Sequence, residues 1–195
     1  MRTAVIERST KETEIKLELS LDGSGVYEIQ TGVAFFDHML THIAKHGFLD
    51  LRVSAQGDLE VDAHHTVEDV GIVFGQALKR AIGDKQGISR YGQAIIPMDE
   101  ALALVALDLS GRPYLKFQAD LGKGRLGDFD LELVKEFFQS VAVHAGMNLH
   151  IRLWDGDNLH HCAEAIFKAF GRALAAAVRL DERIKGVPST KGVLE

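Results

Sequence analysis

Hydrophobic and polar residues alternate in "TAVIERST" and again in "EIKLELSL", a period of two that predicts two half-buried strands at the start of the chain. The period then changes. "FFDHMLTHIAKHG" has a helical pattern closed by Gly47, and a strand is expected after it in "FLDLRVSAQG". "HHTVEDVGIVFGQALKRAIG" reads as a long helix with one apolar face, ending at Gly83. Beyond "GISRYG", the segments "AIIPMDEALALVALDLSG" and "RPYLKFQAD" read as a pair of strands around a turn at Gly111. A glycine-rich loop, "LGKGRLGD", leads to a helix in "FDLELVKEFFQSVAVHAG", a strand in "NLHIRLWDG" and a final helix from about Asn158 to Leu180. The order β, α, β, α occurs twice.

Laid over one another without a gap, "HHTVEDVGIVFGQAL" and "HHCAEAIFKAFGRAL" share H-H-x-x-E and then F-G-x-A-L at identical spacing. Upstream, His38 to Val53 lies over Glu136 to Ile151, which brings His46 over His144, Leu51 over Leu149 and Val53 over Ile151. Two repeats, about 1–92 and 93–195, are therefore expected within a single domain. Packing alone would preserve Phe74, Gly75, Ala77 and Leu78 together with Phe170, Gly171, Ala173 and Leu174. It gives no reason to repeat two adjacent imidazoles and a carboxylate. A single His-His-x-x-Glu fits a solvated first helical turn, with acidic residues near the positive end of the helix. Its recurrence favours metal binding.

A helix turns about 100° per residue, so His64 and Glu68 share a face, as do His160 and Glu164. Two donors are too few for a stable transition-metal site. His65 and His161, rotated away on their helices, are placed to complete the other half's centre, and His38 adds a donor to the first. The position aligned with His38 is Glu136, a competent but harder ligand. Mixed imidazole and carboxylate donors suit manganese, iron, zinc or nickel, and the spacing does not choose among them.

With 195 residues, 46% of them hydrophobic, the chain has enough apolar material for a substantial core. Its formal charge of −6 argues against nucleic-acid or membrane-surface partners and leaves room for a local basic pocket. Cys162 is the one cysteine, and no N-terminal apolar run resembles a signal peptide or a span, so a cytoplasmic location is expected. Arg90 in "SRYG" and Arg112 in "SGRP" each sit beside a glycine in a turn, and the arginine fork suits phosphate.

"FFDHMLTHIAKHG", "DAHHTVEDVGI", "GISRYG", "PMDEAL", "DLSGRP", "NLHHCAEAIFKAFGRAL" and "PSTKGVL" together resemble the imidazoleglycerol-phosphate dehydratase family of histidine biosynthesis over nearly the whole chain. The resemblance implies an α+β fold, internally duplicated, with two four-stranded sheets packed on helices in the manner of ribosomal protein S5 domain 2. It also implies two Mn2+ per subunit, other divalent transition metals being allowed, at subunit interfaces of a 24-subunit cage built from trimers. By the same resemblance the metal ligands fall on His38, His64, Glu68 and His161 for one ion and on His65, His160 and Glu164 for the other. Glu136 stands where some members carry a histidine ligand.

Substrate contacts are implied at Glu12, His38, His42, His46, His64, Glu68, His160 and Glu164. The substrate phosphate is assigned to Arg90 and Arg112, with Lys168, Ser189, Thr190 and Lys191. Glu12 in "STKETEI" matches the family's N-terminal glutamate and is the expected catalytic general acid/base. Asp99 and Glu100 of "PMDEA" are left between orienting ligands and lining the site, and His150, in mid-strand, is expected to be structural. Helix-end histidines without a chemical role remain an alternative for His46 and His144.

The implied reaction dehydrates D-erythro-imidazoleglycerol phosphate to imidazole-acetol phosphate. No carbonyl neighbours the carbon–hydrogen bond that must break, so the ring has to be the electron sink. Held as imidazolate between two metal ions, it expels the adjacent hydroxyl to give a diazafulvene-like intermediate, and proton loss then yields an enol and the ketone. Two other classes fit part of the pattern. A metal-storage cage would need a bundle of long helices and no turn arginines, whereas a two-metal phosphoesterase would want more aspartate.

Overall fold

The computed structural model describes residues 1–194. Strands β1 (Thr3–Ser9) and β2 (Thr13–Ser20) bury Ala4, Ile15, Leu17 and Leu19 on one face and leave the alternate positions outside. β3 (Tyr27–Gln30) precedes helix α1 (Ala34–Gly47), and β4 (Asp50–Gly57) leads into α2 (His64–Ile82). The sheet order is β1-β2-β4-β3, with β3 parallel to β4 and the other pairs antiparallel.

The second half repeats this plan with β5 (Tyr91–Met98), β6 (Ala101–Asp108), β7 (Tyr114–Gln118), the short ribbon β8 (Arg125–Leu126) and β9 (Phe129–Asp130), α3 (Leu133–Ala145), β10 (Asn148–Asp155) and α4 (Leu159–Val178). Its sheet order is β5-β6-β10-β7, and β7 runs parallel to β10. The fold is α+β and internally duplicated, with two four-stranded sheets packed on helices, as the family resemblance implies.

Three details of the sequence reading are corrected. "AIIPMDEALALVALDLSG" holds two antiparallel strands, which turn at Asp99 and Glu100 with Asp99 at φ 48°. Strand β7 does not pair with β6 across Gly111, because β10 lies between them. β3 was not anticipated, since four residues are too short to display a period, and neither was the β8–β9 ribbon inside the glycine-rich loop.

The helices exchange partners between halves: α1 packs on α4, and α2 on α3. Glycines let them approach. A Cβ on Gly171 would lie 3.0 Å from the Ile43 carbonyl oxygen and 3.1 Å from Gly47 N, and one on Gly75 would meet the aligned Val141 oxygen at 2.9 Å and Ala145 N at 3.0 Å. The repeated Phe-Gly pair therefore sets how close, and at which height, each helix crosses its neighbour. Between the crossings Phe74, Phe137, Phe138, Phe167 and Phe170 are fully buried, with ring centroids 4.9 to 6.4 Å apart in adjacent pairs. The two sheets thus share one aromatic core.

Candidate metal centre and active site

Helix α1 buries Phe36, Met39, Leu40 and Ile43, which leaves His38, His42 and His46 along one edge. The α4 crossing at Gly171 brings that edge against the first turns of α4. There the Asn158 side chain caps the helix by accepting from His160 N at 2.9 Å and His161 N at 3.4 Å. His38, His160 and Glu164 consequently offer ligand atoms that all lie within 4.8 Å of one another. Glu164 Oε2 is the hub, 3.2 Å from His160 Nε2 and 3.5 Å from both His38 Nε2 and His42 Nε2.

Electrostatics prepare this cluster for a cation. Burial pushes the Glu164 carboxyl up, but its contact with Lys168 and the facing His42 and His38 outweigh that and hold it at about 2. Burial pushes His42 down to about 4, against the pull of Glu164, so its ring is neutral near pH 7. His46, stacked on His42 at 5.7 Å, is lowered by burial and then by Lys168. The ionised form of Glu164 is the one that metal ligation requires. The donor set of two nitrogens and one carboxylate oxygen fits a divalent transition metal and leaves coordination positions for further ligands.

Within one chain the grouping differs from the one the resemblance implies: α1 packs on α4, so His38 lies with His160 and Glu164, whereas the resemblance puts it with His64, Glu68 and His161 at a subunit interface. His64 Nε2 and Glu68 Oε2 stand 3.9 Å apart, both about half exposed. Glu136 takes the place of His38 on α3, the helix that packs on α2. Among the described residues, His64, Glu68 and Glu136 do not close into a comparable trio.

His65 and His161 are each held through Nδ1. Asp58 lies 3.0 Å from His65 Nδ1 and raises its pKa, with Glu12 standing off at 4.0 Å. Glu100 Oε2 lies 2.8 Å from His161 Nδ1; the contact raises the histidine and, with the Asn158 backbone N–H, holds the glutamate at about 2. Both imidazoles are thereby held through Nδ1, which leaves Nε2 as the uncommitted ring nitrogen.

The phosphate candidates are dispersed differently from expectation. Arg90, at φ 69°, donates Nε and Nη2 to Asp108 at 2.7 and 3.0 Å and Nη1 to the Pro188 carbonyl at 2.9 Å. It is an anchor for the C-terminal segment as much as a free cation. That segment also accepts from Gly87 N at Gly186 O and is turned by Lys191 N donating to Ser189 Oγ, so Ser189, Thr190 and Lys191 stay beside Arg90. Arg112 is exposed and makes no ion pair among the described residues, while Lys168 is engaged by Glu164 and Met98. His144 donates from Nδ1 to the Ser140 carbonyl within its own helix, and His150 is exposed beside Tyr114, which gives neither a place in the cluster.

Residues 31–174 match the sequence model of a family described as imidazoleglycerol-phosphate dehydratase. The chain belongs to the imidazoleglycerol-phosphate dehydratase family. The imidazoleglycerol-phosphate dehydratase of Moorella thermoacetica is 58% identical over 193 residues, covering 99% of this chain and 98% of the relative. That of Acetivibrio thermocellus is 61% identical over 189 residues, 97% of each chain. The crystal structure of the Staphylococcus aureus imidazoleglycerol-phosphate dehydratase superposes with a TM-score of 0.83 at 46% identity, covering 92% of this chain and 99% of that one. The Pyrococcus furiosus dehydratase superposes with a TM-score of 0.84 at 40% identity, covering 97% and 100%. As a member of this dehydratase family the chain is a hydro-lyase of histidine biosynthesis.

Four dehydratase residues around the histidines were not assigned from sequence: Asp58, Glu100, Asp69 and Thr13. Asp69 is buried, accepts from Thr13 Oγ1 at 2.5 Å and lies 2.9 Å from Arg8 Nε, an ion pair without hydrogen-bond alignment. It ties the first hairpin to α2. No spacing rule reveals such a contact, because Thr13 and Asp69 meet only when the hairpin lies down on the helix.

Proposed function

We propose that this chain carries out the metal-dependent dehydration of D-erythro-imidazoleglycerol phosphate to imidazole-acetol phosphate. The convergence of His38, His160 and Glu164 across the two halves carries the reading, since packing does not call for three ligating groups at one point. We assign two Mn2+ per subunit, with other divalent transition metals able to substitute. When bound, the metals would supply Lewis acidity toward the imidazole ring of the substrate.

The residues of the chain do the rest. His38, His160 and Glu164 form three quarters of one centre, and His64 and Glu68, with Glu136 nearby in sequence register, begin the other. His65 and His161, 35% and 26% exposed and outside the trio, are each assigned to complete a centre of a second copy. A site assembled between copies fits the 24-subunit cage, built from trimers, that we assign to this protein. The second sheet supports self-association, with exposed Tyr91, Ile95, Tyr114 and Trp154 on its strands. Arg90, Arg112 and the Ser189–Lys191 turn bind the phosphate, His42 and His46 line the site, and Glu12 moves the protons from the first hairpin turn. Its carboxylate is 54% exposed and outside the metal trio, as an acid/base that must reach substrate requires. The location is cytoplasmic.

Turnover of imidazoleglycerol phosphate by chelated and Mn2+-reconstituted protein tests the reading. Ketone should form only with metal. Release of inorganic phosphate in place of ketone would make the protein a phosphoesterase and overturn the assignment.

A further inference from the structure

The two hairpins share one register. Thr10 pairs with Thr13 around Lys11 and Glu12, and Met98 pairs with Ala101 around Asp99 and Glu100. Glu12 and Glu100 are therefore counterparts, each the last turn residue before the second strand of its half, and each facing Nδ1 of the second histidine in His-His-x-x-Glu. Their engagements differ. Glu100 is clamped, with Oε2 at 2.8 Å from His161 Nδ1 and Oε1 accepting from Asn158 N at 2.8 Å. Glu12 stands 4.0 Å from His65, and Asp58 has its place at 3.0 Å.

The surroundings explain the split. Gly57 ends β4 and Gly156 directly follows β10: a Cβ on the first would strike Thr66 Oγ1 at 2.0 Å, and one on the second the aligned Cys162 Sγ at 2.4 Å. After Gly57 a long connection over residues 58–63 lets Asp58 return beneath His65. After Gly156 only residues 157–159 precede His160, and Asn158 is already the helix cap. That short connection has no residue placed on the His161 ring, and Glu100 reaches across from the hairpin.

We propose that Glu100 is a positioning residue that fixes His161 with its Nε2 presented to a metal, and that Asp58 performs this task for His65 so that Glu12 is released for proton transfer. The inference rests on the metal-dependent reading above. One of two equivalent carboxylates has become a fixed support and the other a mobile acid/base. A carboxylate behind a ligating histidine sets its tautomer and orientation, and its loss typically lowers metal affinity by about 10–100-fold.

The test is Mn2+ affinity of the full chain, read from the spin-resonance signal of free Mn2+, for wild type, Glu100→Ala, Glu100→Gln, His161→Ala and the Glu100→Ala/His161→Ala pair. Glu100→Ala should weaken one of the two bound ions by about 10–100-fold and leave the other unchanged. Glu100→Gln, whose amide oxygen still accepts from Nδ1–H, should recover most of the loss. On the His161→Ala background, Glu100→Ala should change nothing further. Two ions bound by Glu100→Ala with wild-type affinity would overturn the inference. So would an undiminished effect without His161, which would assign the loss to the Asn158 backbone contact. A wild type that binds no Mn2+ would overturn the metal-dependent reading and this inference together, and the arms thus separate the two failures.

Discussion

At the turn end of the first sheet, Thr13 and Arg8 meet the buried carboxylate of Asp69. The same place in the second half holds Ala101 and Ala165, both fully buried, and the turn is held from outside by Glu100. Both halves have to anchor a two-residue turn over the start of a helix that carries ligating histidines. One does it with a polar contact beneath the turn and the other with a carboxylate in the turn itself. A duplicated fold keeps its topology and its glycine-governed helix crossings, while the polar groups that stabilise equivalent points are free to move. The consequence is chemical: anchoring from below leaves Glu12 unengaged.

The sharpest way to break this comparison is Glu12→Gln, which should lower turnover by roughly 10²–10⁴-fold with Mn2+ content unchanged, measured by ketone formation and metal analysis. A loss of metal would show that Glu12 supports a ligand as Glu100 does. Next in size is Phe137→Ala, in the aromatic core between the halves, expected to cost about 3–5 kcal/mol in denaturant titration. Both sheets should still unfold in one transition; two separate transitions would mean that the halves are independent.

Asp69→Ala should destabilise by about 1.5–3 kcal/mol, because it removes the Arg8 ion pair and the short Thr13 Oγ1 contact, leaving Thr13 Oγ1 only Thr10 Oγ1 at 3.3 Å. Adding Thr13→Ala copies the second half's alanine pair and should restore part of that loss. A double mutant worse than the sum of its parts would refute the equivalence.

The smallest effect concerns pH. His42 titrates near 4 when folded, because burial disfavours its charge, against 6.5 when unfolded. The unfolded chain binds more protons between these values, so stability of the metal-free protein is full above pH 6.5 and falls as pH drops toward 4. The loss at full extent is on the order of 3 kcal/mol. The aligned second-half residue is Ser140, which does not titrate, so His42→Gln should remove His42's share of the slope and leave the smaller one from His46. An equal slope in that variant would place the proton elsewhere.

Much of this was legible in order. The period-two strands, the long helices and the H-H-x-x-E repeat all rest on neighbours along the chain, and the helix end expected near Leu180 is found at Val178. Asn158 as the last helix's start became its cap. What failed had no local signal. Four residues of β3 display no period, and β7 pairs with β10 only because a later strand inserts beside it. Arg90 read as a free turn cation because Asp108 and Pro188 are remote from it in the pattern that identified it.

The sequence by itself determined the duplication, the ligand types and which of them share a helix face, since helical geometry alone fixes residues four apart. Only the tertiary structure decided which helix faces which. Gly75 and Gly171 permit backbone contact of α2 with α3 and of α1 with α4, and that crossing carries His38 to Glu164 and away from Glu68. The division between Glu12 and Glu100 is likewise tertiary, because it depends on the length of a connection and on what lies under a turn, and neither distance is written along the chain.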